Sequence, residues 1–156
     1  MLRISDLRNT PVIINQKTVG ILHSISIDIV QKKVHALHVS CGLLGRRLVM
    51  PEDILNITNE FILVGNIYRY KHPVNSSNAR FIRDSTGILI GYVTDYIINT
   101  DHEFRLEAVE MRVGFLPKEY AVRIWALDFF CQIQDDELIV PASLGCELTY
   151  SSGRNV

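Results

Sequence analysis

The chain has 156 residues, of which 47% are hydrophobic and 21% charged, as in an ordinary globular protein. This length permits one domain or two small ones, and a net charge of −1 argues against a protein built to neutralise many phosphates. The charge is uneven, because residues 1–75 carry +4 and residues 76–156 carry −5, which predicts that the halves face each other or that one faces a partner of opposite sign.

The first half begins with a series of short predicted strands. Residues 20–30, GILHSISIDIV, alternate with a period of two, as expected for a half-buried strand. One predicted face carries Ile21, His23, Ile25, Ile27 and Ile29, and the other carries Leu22, Ser24, Ser26 and Asp28. Residues 34–42, VHALHVSCG, alternate in the same way. The turn NQKT precedes these strands, and MPEDI, residues 50–54, predicts a single helical turn that begins with Pro51.

Residues 70–80, YKHPVNSSNAR, have the composition of a loop, with a proline followed by a run of Asn and Ser. We therefore predict a linker at residues 67–78, between a first domain of residues 1–66 and a second domain of residues 79–150. Residues 151–156 are polar, and we expect them to form a frayed tail.

The second half has the same kind of pattern. DSTG, residues 84–87, predicts a tight hairpin turn in which Gly87 supplies a positive φ. Residues 106–113, LEAVEMRV, alternate as VHALHVSC does. Residues 117–130, PKEYAVRIWALDFF, fit either a short helix or a strand, and the pattern does not decide between them.

The two halves align as an internal repeat. TVGILHSISID, residues 18–28, aligns with LIGYVTDYIIN, residues 89–99, and VHALHVSCG aligns with LEAVEMRVG. The aligned positions are Gly20 with Gly91, Gly42 with Gly114, Asp53 with Asp128 and Phe61 with Leu138. The offsets rise in one direction along the chain, so a few small insertions in the second copy explain them.

Each copy contains about five short strands, and so short a sheet must close on itself or pair with a neighbour to protect its edges. A unit of this size alone buries only about 60% of its unfolded surface. The sequence therefore predicts a mainly β protein made of two tandem small β-barrels packed against each other, with short helical turns.

This order of elements resembles the PRC-barrel domain family. The resemblance is carried by ISDLRNTPVI, the VG-I--I-ID strand, HALHVSCGLLGRR and VMPEDI-NI---FILV, and it covers residues 1–66 and, less closely, residues 79–148. The family includes the cytoplasmic domain of the photosynthetic reaction-centre H subunit and the C-terminal domain of the ribosome maturation factor. Its members act as docking or assembly modules, so the resemblance implies a non-catalytic bacterial adaptor.

His35, His38 and Cys41 lie within seven positions and raise the possibility of a metal or nucleophile site. Strand alternation sends His38 away from the other two, and about 20 Å of extended strand separates His35 from Cys41. We interpret Cys41 as a buried apolar group and the histidines as strand-surface side chains. With no GxSxG or HExxH motif present, we predict no catalytic, metal or cofactor site, and an enzyme or metalloprotein built on these residues is the less favoured hypothesis.

Arg46, Arg47, Arg69 and Lys71 are the predicted partner-binding residues. FLPKE stands in the second half where the first half has LLGRR, so a surface centred on Arg46 and Arg47 is not repeated. The preferred hypothesis is an adaptor that docks a protein partner through an exposed apolar or charged face. The alternative is a ribosome- or RNA-associated assembly factor, because YRYKH, residues 68–72, interleaves aromatic and basic side chains.

The cysteine pattern bears on the cellular compartment. An odd count of three cysteines without a CxxC motif favours a reducing cytoplasm. The charged N-terminus MLRISDLRN does not match a signal peptide, and apolar stretches such as FILVG are far shorter than the ~20 residues of a membrane-spanning helix. We predict a cytoplasmic protein without a membrane span. Peripheral membrane association and a homodimer both stay open.

Overall fold

A computed structural model describes residues 1–70, 76, 78–101, 103–113, 121–134 and 136–142. The described chain is mainly β with short 3-10 turns, as predicted. The first eight strands are β1 (Leu2–Arg3), β2 (Pro11–Ile14), β3 (Lys17–Asp28), β4 (Lys33–Ser40), β5 (Arg46–Val49), β6 (Ile54–Ile57), β7 (Ile62–Val64) and β8 (Tyr68–Arg69). The others are β9 (Phe81–Asp84), β10 (Leu89–Asn99), β11 (Arg105–Val113), β12 (Ala121–Ala126), β13 (Gln132–Ile133) and β14 (Glu137–Val140). The 3-10 turns are Ser5–Leu7, Gly42–Leu44, Pro51–Asp53 and Leu127–Phe129.

The strands form one continuous, curled sheet with the order β13-β14-β9-β10-β11-β4-β3-β2-β7-β6. Four strands lie off this path: β1 pairs with β10, β12 with β11, β5 with β4, and β8 with β5. Counted outward from the β4–β11 junction, the first half has the order β4-β3-β2-β7-β6 and the second half has the corresponding order β11-β10-β9-β14-β13. Each half contains one parallel pair, β2 with β7 and β9 with β14. The finer prediction of two closed barrels stays a prediction.

The two long hairpins also share one register. Leu22 of β3 pairs with Val39 of β4, and Val93 of β10 pairs with Met111 of β11. The register shifts between Leu22 and Ser24 and between Ser26 and Ile27 in β3, and between Val93 and Asp95 and between Ile97 and Ile98 in β10. Such bulges bend a strand and increase its twist, so both hairpins curl at corresponding points.

Gly20 and Gly91 occupy corresponding points of close approach in these hairpins. A Cβ atom on Gly20 would lie 2.4 Å from the carbonyl oxygen of Ser40, and one on Gly91 would lie 2.4 Å from that of Arg112. Only glycine fits there, which agrees with the alignment of Gly20 with Gly91.

The alignment shifts by one residue further along the chain. Ile62 pairs with Val12 and Leu138 pairs with Ile82, so Ile62, rather than Phe61, corresponds to Leu138. The 3-10 turns Pro51–Asp53 and Leu127–Phe129 also correspond to each other, so Asp128 aligns with Glu52 rather than with Asp53. Residues 117–130, left open between helix and strand, contain β12 followed by the second of these turns.

The halves meet at a locally symmetric junction. Lys33 pairs with Arg105, the Val34 amide donates to the Phe104 carbonyl at 3.1 Å, and the Leu106 amide donates to the Lys32 carbonyl at 2.9 Å. The two halves also exchange leading segments. β1 precedes β2 in sequence but lies on β10, while Ser76 precedes β9 and its hydroxyl hydrogen-bonds with the backbone of Ile27 in β3.

The apolar core runs through both halves. Its largest fully buried side chains are Leu7, Leu22, Ile27, Ile29, Leu37, Ile62, Ile82, Ile90, Ile98, Met111, Leu127 and Leu138. The predicted faces of residues 20–30 are wrong in part, since Leu22 is buried and Ile21 is exposed. The bulge after Leu22 explains the difference, because an inserted residue reverses the alternation on either side of it. Gly87 has φ of +93°, as the DSTG turn predicts.

Candidate functional site

The hairpin between β4 and β5 ends in a hydrogen-bonded apolar turn. Ser40 and Arg46 are its last paired residues, and within the turn the Cys41 amide donates to the Gly45 carbonyl at 2.9 Å. Gly42 and Gly45 have φ of +59° and +72°, values that glycine adopts without strain. This conformation holds Leu43 and Leu44 at the apex with relative exposures of 107% and 67%.

Three of the predicted partner-binding residues lie directly behind this apex. Arg47 of β5 pairs with Arg69 of β8, so these two arginines share one face of the sheet. Arg46 pairs with Ser40, and its side chain points to the opposite face because neighbours on a strand alternate. We call Leu43, Leu44, Arg46, Arg47 and Arg69 the basic tip. Lys71, the fourth predicted residue, lies outside the described residues.

Within the described ranges, none of Arg46, Arg47 and Arg69 forms a salt bridge, although the Arg47 guanidinium donates to the Arg46 carbonyl at 3.1 Å. The nearby Tyr68 side chain lies beside the Asp53 carboxylate, which raises the pKa of the Tyr68 hydroxyl. The basic tip therefore combines apolar and cationic groups that suit an anionic surface.

A serine–histidine contact lies on the neighbouring β3–β4 hairpin. A hydrogen bond of 2.5 Å joins Ser26 Oγ and His38 Nε2, and the rings of His38 and Tyr70 are 5.7 Å apart. Burial, assisted by the charges of Arg46 and His23, lowers the pKa of His38. Because Ser26 and His38 are both buried, the hydroxyl is closed to a substrate carbonyl, and the contact satisfies two buried polar groups. Sequence reasoning missed this pair, since only the strand register brings the residues together.

The other reactive side chains of the first half lie apart. Cys41 is buried, and burial raises the pKa of its thiol although the Arg47 charge acts in the opposite direction. His35 is exposed on β4, whereas His38 points to the opposite face. Among the described residues, no group of three or more His, Cys, Asp or Glu side chains could hold a metal ion.

The second half presents an apolar groove. The groove has a volume of about 620 Å³ and lies between β1, β10, β11 and β12. It is lined by Met1, Leu2, Arg3, Asp6, Ile97, Glu107, Ala108, Ile124 and Ala126. Val122 and Ile124 of β12, the counterparts of Arg46 and Leu48 in β5, are 56% and 52% exposed. From here on, the name apolar groove covers these lining residues together with Val122.

The rim of the apolar groove has an acidic balance. Arg3 is neutralised by an ion pair of 2.7 Å with Glu110, and the other charged side chains of the lining are Asp6 and Glu107. The Glu107 carboxylate accepts a hydrogen bond from the side-chain amide of Asn99 at 2.5 Å. Sequence reasoning did not single out this groove, because β12 was not identified as a strand.

No helix in the described parts of the chain is long and apolar enough to cross a membrane. No protein-family model matches the chain, and no curated protein matches it significantly. The resemblance to PRC-barrel domains therefore stays a prediction.

Proposed function

We propose that the chain is a non-catalytic adaptor of the PRC-barrel type, built from two related barrels, that docks a protein partner. The matching strand order, bulges and close-approach glycines support the two-barrel part of this proposal. Its best surface for a protein partner is the apolar groove.

The observation that carries the proposal is the exposed apolar strand beside a concave surface. Val122 and Ile124 of β12 are both more than half exposed, and Ile124 lines a groove of about 620 Å³. Contiguous apolar surface with a polar rim marks a binding site, and the groove has the size of a pocket that receives a few side chains. The acidic rim favours a partner segment that presents apolar side chains next to a lysine or arginine.

The test is capture of a partner by the tagged full-length protein with chemical cross-linking, followed by direct binding of the purified partner. We expect V122S/I124S to weaken the direct binding at least about tenfold, because two apolar contacts are lost. L43S/L44S is the matched control, since it also replaces two exposed apolar residues but lies on the basic tip. If both variants bound the partner with the affinity of the wild type, docking at the apolar groove would be refuted. If the wild type did not bind the captured partner directly, the proposed adaptor function would be refuted.

A further inference from the structure

The basic tip places its apolar and charged groups at two levels. Leu43 and Leu44 stand at the apex of the β4–β5 hairpin, and Arg46 and Arg47 follow directly behind them on opposite faces of the sheet. Arg69 lies beside Arg47 on the neighbouring strand. The apex is therefore apolar, and a collar of positive charge surrounds it.

We propose that the basic tip binds the surface of an anionic phospholipid bilayer, with Leu43 and Leu44 inserted below the headgroups and the three arginines among the lipid phosphates. Apolar side chains with adjacent cations are the combination by which proteins bind an anionic interface without crossing it. This surface differs from the apolar groove, so an adaptor could hold a protein partner and the bilayer at once.

The geometry favours a bilayer over other anionic partners. The tip is convex and carries cations on two opposite faces, so an anionic partner must surround it, as a layer of mobile headgroups does. Single-stranded nucleic acid binds through stacking on aromatic rings. The exposed rings of Tyr68 and Tyr70 lie behind the arginines, Tyr68 opposite Leu48 and Tyr70 beside His38, and the apex itself presents aliphatic side chains. The hydrogen-bonded turn is already ordered, so insertion does not require a loop to become ordered.

The first test is co-sedimentation of the full-length protein with vesicles of phosphatidylcholine alone or with part of it replaced by phosphatidylglycerol. We expect binding only to the anionic vesicles. Added salt should weaken this binding, because the Debye length falls from about 10 Å at 0.1 M to about 3 Å at 1 M. Equal binding to both kinds of vesicle would overturn the role of the arginines.

Variants separate the two components of the tip. Each arginine near an anionic surface raises the partition coefficient about fivefold, so R46E/R47E should lower the partition coefficient more than about 25-fold. L43S/L44S should lower the partition coefficient at least about tenfold, because aliphatic surface no longer leaves water. V122S/I124S is the control and should bind vesicles as the wild type does. These substitutions are at exposed or half-buried positions, and thermal unfolding of each variant confirms that it is folded.

Insertion is measured with a tryptophan at the apex. In Leu44→Trp, we expect brominated phosphatidylcholine in anionic vesicles to quench the new tryptophan, while the native Trp125 of the wild type keeps its fluorescence. Quenching that is equal in the two proteins would overturn insertion of the apex. The bilayer proposal would be wrong if the protein bound no vesicles but bound a single-stranded RNA oligonucleotide or an acidic peptide, and if R46E/R47E abolished that binding. This result would not affect the proposal of docking at the apolar groove.

Discussion

The pKa of His38 depends on the strand register that buries its side chain. It is buried beside Ser26, and the loss of solvent, with the charges of Arg46 and His23, lowers its pKa from 6.5. In the unfolded chain the imidazole has its ordinary pKa, so near pH 6.5 the unfolded state binds more protons than the folded state. The free energy of unfolding therefore decreases as the pH falls below about 6.5, and this contribution is constant at higher pH.

We expect His38→Gln to remove this part of the pH dependence. The measurement is urea unfolding of the wild type and the variant from about pH 5 to pH 8, the range in which histidine titrates. His35→Gln is the control, because His35 is exposed on the same strand. An identical slope for His38→Gln and the wild type would show that His38 does not carry the shift.

Single positions could be predicted from the sequence where the local chain dictates them. Gly87 is an example, since a tight DSTG turn requires a positive φ whatever the rest of the chain does. The Ser26–His38 contact could not, because the residues are joined by a β3–β4 register that contains two bulges. The clustering of Arg47 with Arg69 depends in the same way on β8, which lies in the segment predicted as a linker.

At the level of elements, alternation located β3, β4, β10 and β11, but it assigned part of β3 to the wrong face. A period of two holds only while the pairing is unbroken, and the adjacent apolar residues Ile21 and Leu22 leave open which of the two is buried. The glycines are more informative. Gly20 and Gly91 occupy the same place in both hairpins because a neighbouring carbonyl oxygen leaves no room for a Cβ atom.

We expect Gly20→Ala and Gly91→Ala each to lower the free energy of unfolding by about 2 kcal/mol, because the new methyl group forces the paired strands apart. Gly65→Ala is the matched control, since its nearest atom would be at 3.8 Å, and it should change stability by less than about 0.5 kcal/mol. Urea denaturation at neutral pH measures all three variants. If Gly20→Ala were as stable as Gly65→Ala, the hairpins would not be held this closely.

Over the whole molecule, the uneven charge of the sequence has a structural counterpart. Of the three salt bridges among the described residues, two join a cation of the first half to a carboxylate of the second, Arg3 to Glu110 and Lys32 to Asp128, both at 2.7 Å. This arrangement fits the expectation that the halves face each other. Such exposed pairs contribute little stability, so the exchanged segments and the common core hold the halves together.

The exchange makes each half incomplete on its own. β1 leaves the first half to pair with Ile97 and Ile98 of β10, and these residues correspond in register to Ser26 and Ile27 of β3. We therefore expect residues 1–75, expressed alone, to dimerise, with β1 of one copy on β3 of the other. At low concentration the fragment should instead be a monomer with a lower melting temperature than the full chain.

Analytical ultracentrifugation and thermal unfolding over a range of concentrations measure both effects. Dimerisation should raise the melting temperature with concentration, because only the folded state associates. Addition of residues 76–156 should dissociate the homodimer, since the second half supplies the strand that β1 pairs with in the intact chain. A fragment that stays monomeric and has the same melting temperature as the full-length protein would contradict this prediction. The halves would then fold independently, and the exchanged segments would not stabilise them.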